Sequence, residues 1–190
     1  MAPLLKPEEC SLLFIDPVRR NIERSNIDDN SQYFLIGRYA LFQQAARVLD
    51  VPEFFLIDGN PTSEQDWIVQ PNERSRYRVH VASYAGSLWS TSGLGAALAK
   101  EDRACLVLCG FWLDGNITFV ALNALADGFD VYVLMDACLT CDKQAQSPAV
   151  DRLLQAGVVP LTTMQMVREW AECTADETRR SLLLDLLTST

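Results

Sequence analysis

Apolar residues fall along the chain in two alternating rhythms. Short runs of consecutive apolar positions, bounded by turn residues, occur at Ser11–Ile15 (SLLFI), Glu53–Ile57 (EFFLI), Tyr77–Val81 (YRVHV), Ala104–Cys109 (ACLVLC), Asp130–Met135 (DVYVLM) and Val158–Leu161 (VVPL). Runs apolar at every position, without polar alternation, predict strands covered on both faces, the condition of a parallel sheet. Between them lie stretches with apolar residues every three or four positions: Gln32–Leu49, Ile117–Gly128, Thr163–Cys173 and the tail TADETRRSLLLDLLTST. That spacing predicts helices with one buried stripe. Gly128 and Gly157 stand where helix C-caps are expected, and Thr174 or Asp176 where the last helix starts. Strand and helix in alternation require right-handed crossovers, so the predicted fold is a three-layer α/β/α sandwich around a six-stranded, mainly parallel sheet. No linker or repeat divides the chain, and residues 1–190 are read as one domain. The longest irregular stretch, Gly59–Ser75, has the length of a loop that covers a site or makes an oligomer contact.

Charge narrows the function classes. The net charge is −9, and the sixteen basic residues are scattered, which leaves no cationic face for phosphates and disfavours nucleic acid as a partner. The start of the chain is broken by Glu8 and Glu9 and lacks the continuous apolar run of a signal peptide, so a cytoplasmic protein with no membrane partner is expected. Six cysteines are present. Cys105 and Cys109 lie inside an apolar run and are expected to pack as small core residues. Cys138 and Cys141 have CxxC spacing, but a zinc site needs further thiols or histidines, and the chain has a single histidine, His80. Neither a metal nor a cofactor is expected.

The candidate chemistry lies at strand ends, where open α/β sheets bind their ligands. Asp16 follows the first predicted strand directly. It is either a general acid or base facing that crevice, or the first residue of an ordinary Asp-Pro turn. Asp58 and Asp136 end two further strands, and for both the turn or loop-tethering role is the stronger expectation. Asn116, in FWLDGN between a strand and a helix, has the side chain of a good N-cap, and capping is its expected role.

Together, SLLFIDP, AARVLDVPEFFLID, YAGSLWSTSGLGAAL, LCGFWLDGNITFVALNALADGFDVYVLMDA and GVVPLTTMQMVREWA resemble, in order and spacing, the isochorismatase-like superfamily, also called the cysteine hydrolase family. The resemblance covers most of the chain. It implies hydrolysis of a small molecule and, for the amide-cleaving members, an Asp, Lys, Cys triad in which the cysteine attacks a carbonyl and the aspartate carries its proton. Asp16 matches the aspartate. The lysine position falls on Val81 and the cysteine position on Asn116, so two of the three groups are substituted. A carboxamide is no nucleophile, and an aspartate without its cation, if buried, should hold its proton more tightly.

Two functions follow. One is a binding or structural member of the superfamily that has lost thiol chemistry, a pseudoenzyme. The other is a hydrolase with Asp16 as acid or base and Asn116 positioning substrate or water, as the isochorismatases of the superfamily cleave a vinyl ether without a cysteine. The missing positive charge could come only from Arg78 or His80 reaching in from an adjacent position. Phe111, Trp112, Tyr84 and Trp89 are candidates to line a pocket for an unknown small molecule. The resemblance further implies a cis peptide between Trp112 and Leu113 and assembly as a homodimer or larger oligomer, with the apolar last helix as a contact surface.

Overall fold

A computed structural model describes residues 4–59, 66–71, 77–82 and 88–188, the side chains of 77–82 apart. Tyr84 and most of the Gly59–Ser75 stretch therefore lie outside the described residues. The strands are β1 (Cys10–Ile15), β2 (Glu53–Asp58), β3 (Tyr77–Ala82), β4 (Cys105–Phe111), β5 (Asp130–Leu139) and β6 (Val159–Leu161). They form one six-stranded sheet in the order β3-β2-β1-β4-β5-β6. Every pairing is parallel. The helices are α1 (Arg19–Ser25), α2 (Asp29–Leu49), α3 (Leu88–Ser92), α4 (Leu94–Ala99), α5 (Thr118–Ala126), α6 (Gln146–Ala156), α7 (Thr163–Cys173) and α8 (Glu177–Thr188).

The continuous apolar runs have the cause the sequence suggests. In β1, Leu12 and Phe14 turn to one face and Leu13 and Ile15 to the other, and all four are fully buried. On the first face lie α2, α7 and α8. There Phe14 stacks on Phe55 (4.9 Å) and meets Phe42 (5.0 Å) and Tyr39 (6.0 Å). On the second face Leu94, Leu98, Val120, Ala121 and Leu153, from α4, α5 and α6, cover Leu106 and Leu108 of β4. Side-chain alternation along each strand thus feeds two cores at once.

Helix ends follow local chemistry. Asp28 caps α2 by accepting from the Ser31 amide (2.9 Å). Thr162 and Gln165 form a reciprocal capping box at α7. Of the two candidates at the last helix, Asp176 is the cap, accepting from the amides of Thr178 and Arg179. Thr174 ends α7 instead, its hydroxyl donating to the Trp170 carbonyl (2.6 Å). Gly128 and Gly157 follow α5 and α6 with φ of 91° and 98°. The last helix spends its apolar face on its own chain: Leu183 is fully buried and Leu186 and Leu187 pack on the core, which leaves Leu182 and Leu184 at the surface. Among the described residues no helix is long and apolar enough to cross a membrane.

Strand β5 continues to Leu139, past the predicted end at Met135. Its pairing with β4 shifts register between Leu108 and Gly110, so that Gly110 sits opposite Cys138. Asp136 therefore lies inside a strand rather than at its end. Its carboxylate ties three elements together, accepting from the Thr163 amide (2.8 Å) and hydroxyl (3.0 Å) and pairing with Arg38 (3.4 Å).

Candidate functional site

The chain at the end of β1 bends at once. Asp16 has φ of 50°, a left-handed conformation that aspartate and asparagine tolerate better than other side chains. Its amide still donates to the Leu56 carbonyl of β2 (2.8 Å), while its own carbonyl accepts from the Val18 amide (2.7 Å) and the Asn21 side chain (3.0 Å). The first turn of α1 is thereby wrapped around Asp16. Beside it, Gly110 of β4 has φ of 129° and lies against the carbonyl of Ile15 so closely that a β-carbon would overlap the oxygen. Only glycine lets the two strands end side by side here.

Asp16 is 3% exposed. Its Oδ1 accepts from the main-chain amide of Asp58 (2.6 Å), the last residue of β2. Its Oδ2 accepts from the side-chain amide of Asn116 (2.8 Å), a hundred residues later. Burial pushes the Asp16 carboxyl up to about 6, against the pull of those two hydrogen bonds; the Asp58 carboxylate adds to the rise and the Arg20 guanidinium opposes it. A carboxyl held in this range changes protonation near neutrality, as a general acid or base requires.

Asn116 reaches Asp16 because of how its turn is built. After β4 the chain enters a widened helical turn, Leu113–Ile117, in which the Gly115 and Ile117 amides both donate to the Trp112 carbonyl (3.0 Å each). Gly115 breaks the helical path, with φ −138° and ψ −106°. The expected capping role is overturned: helical winding has already begun at Leu113, so Asn116 lies within the turn rather than before it, and neither this turn nor α5 has a side-chain cap. Its carboxamide is committed to Asp16. The cis peptide of this segment joins Phe111 to Trp112, one bond earlier than expected, where β4 gives way to the turn.

The other candidates are placed unequally. Asp58 does not merely turn the chain; its amide holds Asp16 and its carbonyl accepts from Arg20 (3.1 Å). Trp112 is half-buried beside the site, with Arg24 over its ring at 6.0 Å and Phe111 edge-on at 5.3 Å. Phe111 is wholly in the core. Trp89 is also in the core, on the second face, where its indole N–H donates to Asp127 (2.7 Å) at the opposite end of α5, so it lines no cleft with Asp16. Val81 stands in β3 opposite Ile57, next to the Asp58 position. Its side chain, with those of Arg78 and His80, lies outside the described residues, as does Tyr84.

Two thiols buried in β4 and β5 hold their protons tightly. Burial pushes the Cys138 thiol up to about 12, despite the Gly110 amide pointing at it, and burial raises Cys109 well above its ordinary value. Cys105 and Cys109 are core residues, as expected. Taken as whole residues, Cys138 is half-buried and Cys141 exposed. Among the described residues no three His, Cys, Asp or Glu side chains are grouped to hold a metal ion.

Neither Arg20 nor Asn21 stands out in the sequence as a site residue. Their signal is positional: a residue four or five beyond a strand-ending aspartate, in the first turn of the next helix, can fold back over it.

The isochorismatase domain family model matches residues 10–165. The probable hydrolase YcaC of Escherichia coli (strain K12) is 30% identical over 86 residues, which are 43% of this chain and 41% of that protein. The match thus spans less than half the length of that curated relative. Among solved structures, YcaC from Pseudomonas aeruginosa with hexane-2,5-diol and covalent acrylamide superposes with a TM-score of 0.77 at 18% identity, over 100% of this chain and 94% of that one. The Escherichia coli YcaC gene product, described as an octameric hydrolase of unknown specificity, gives 0.72 at 18% identity and full coverage of both chains. The MAR1 ribonuclease from Caenorhabditis elegans gives 0.73 at 15% identity, over 98% and 93%. At such identities these structures establish the shared fold.

Proposed function

The chain belongs to the isochorismatase family, and from that premise we propose that it is a hydrolase of a small molecule in which Asp16 acts as general acid without a cysteine nucleophile. The observation that carries this reading is the state of Asp16: a buried carboxyl, fixed through both oxygens at the carboxyl edge of a parallel sheet, with its proton affinity raised to about 6. Burial favours the neutral form, and the neutral form is the proton donor. Asn116 at the nucleophile position and Val81 at the lysine position argue against thiol-dependent amide cleavage. The carboxamide of Asn116 holds Asp16 and positions substrate or water.

A second reading, a ligand-binding member without turnover, has one observation in its favour: the Asn116 side chain already occupies Oδ2 of Asp16, which is almost fully covered.

A hydrolysis panel of small amides, esters and vinyl ethers separates the two. For the hydrolase, turnover by the native protein disappears in Asp16→Ala, and kcat/KM falls as pH rises through about 6, where the acid is lost. A native protein that turns over nothing, while the double substitution Val81→Lys with Asn116→Cys gains thiol-dependent amidase activity, would show a pocket that survives without the chemistry and remove the hydrolase reading.

Assembly belongs to the same proposal. The octameric Escherichia coli relative and the exposed Tyr33, Phe34 and Phe119 support a homo-oligomer. Sedimentation of the native protein should give a mass of at least two chains, and a monomer at micromolar concentration would remove this part of the reading.

A further inference from the structure

We propose that Arg20 is a positioning residue of the Asp16 site, supplying the fixed positive charge that the sequence lacks at Val81. The geometry carries it. Asp58 holds Asp16 through its amide at 2.6 Å, and Arg20 Nη2 holds Asp58 in turn through its carbonyl at 3.1 Å. The guanidinium is therefore anchored on the residue that grips the carboxylate, half-buried in the first turn of α1, the same turn whose Asn21 side chain fixes the Asp16 carbonyl. Two other arginines near the site are directed elsewhere. Arg24 lies over Trp112, and Arg38 sits over the Phe34 ring at 4.3 Å and pairs with Asp136.

Charged groups act on Asp16 from two of the elements that hold it. From β2 comes the Asp58 carboxylate, which disfavours ionisation, and from α1 the Arg20 guanidinium, which favours it. The Leu113–Ile117 turn contributes only neutral Asn116, since Asp114 is turned away to accept from the Cys141 amide (3.0 Å). Arginine stays charged throughout the working pH range, so its pull is constant. It adds to the lowering by the Asp58 amide and the Asn116 carboxamide, which together offset part of the rise that burial causes.

The catalytic meaning of Arg20 rests on the hydrolase reading and its electrostatic role does not, so the test reads Asp16 itself. A carbon NMR titration of the side-chain carboxyls, with the Asp16 signal assigned by its loss in Asp16→Asn, gives the midpoint directly. In Arg20→Gln that midpoint is expected to rise by about half a pH unit, the size of one partly screened charge. Arg20→Lys, which keeps the charge and loses the fork, should restore most of the native value. Arg20→Met serves as a second neutral variant where Arg20→Gln does not fold. An unchanged midpoint in a folded neutral variant, or equal displacements in Arg20→Gln and Arg20→Lys, overturns the proposal whatever the turnover. A raised midpoint in a protein that hydrolyses nothing leaves Arg20 in place and removes the hydrolase reading instead.

Discussion

Replacing Asp16 by asparagine should make the protein more stable at pH 8, not less. The carboxyl has a folded-state value of about 6 against an ordinary 3.8. Because the folded value is the higher, the folded protein holds this proton more tightly than the unfolded chain. Folding is thus favoured at low pH, and stability is lost as pH rises from about 4 to about 6, after which the deficit is constant. A difference of that size in proton affinity corresponds to a deficit on the order of 3 kcal/mol. Asparagine removes it without orphaning a neighbour. Its oxygen can accept from the Asp58 amide, and its NH₂ can donate to the Asn116 oxygen once that carboxamide rotates by half a turn. Asparagine also accepts the φ of 50° found here. Denaturant unfolding of both proteins at pH 4 and pH 8 checks this: the variant should match the native protein at pH 4 and exceed it at pH 8. Equal stability at pH 8 would mean that Asp16 is better solvated than its burial implies. On the hydrolase reading the same variant has no turnover, which makes the site one where stability and chemistry oppose each other.

Gly110→Ala should be the most damaging single methyl group in the protein. The new β-carbon would sit inside the carbonyl of Ile15, and a φ of 129° is one that alanine rarely adopts. The obstacle is main chain in the middle of the sheet, so no side-chain rotation relieves it. A loss of more than about 4 kcal/mol, or failure to fold, is expected. Gly37→Ala is the matched control. It lies inside α2 with nothing near its would-be β-carbon, and a gain of about 0.5–1 kcal/mol is expected from helix propensity. Thermal unfolding of the two variants beside the native protein settles both, and a Gly110→Ala protein that unfolds within a few degrees of native would show that β1 and β4 separate more easily than their register suggests.

How far the sequence announces this arrangement differs from residue to residue. The strands are legible because two buried faces demand uninterrupted apolar runs, and Asp16 is legible because it interrupts one. Strand ends are less so. Asp136 looks like a terminator in sequence, yet its carboxylate is satisfied by Thr163 and Arg38, and the strand runs on. Trp89 and Phe111 look like pocket aromatics by size alone, and only packing decides that both are core. Asn116 has the composition of a cap. What redirects it is the local path at Gly115, a main-chain event for which glycine gives permission but no instruction. Arg20 is illegible because its partner is the carbonyl of a residue 38 positions away, and a carbonyl leaves no mark in a sequence.

The bond from Asn116 to Asp16 also says when the site comes into being. Its two ends are separated by a hundred residues; one directly follows the first strand and the other lies in the turn after the fourth, and the pairing of those strands begins only with Cys105. No local segment, hairpin or single crossover contains it. The entropy of closing so long a loop must be overcome by β1–β4 docking before the carboxyl meets its partner. During synthesis, a chain that has emerged only as far as β3 contains Asp16 in an unfinished sheet and no candidate site at all.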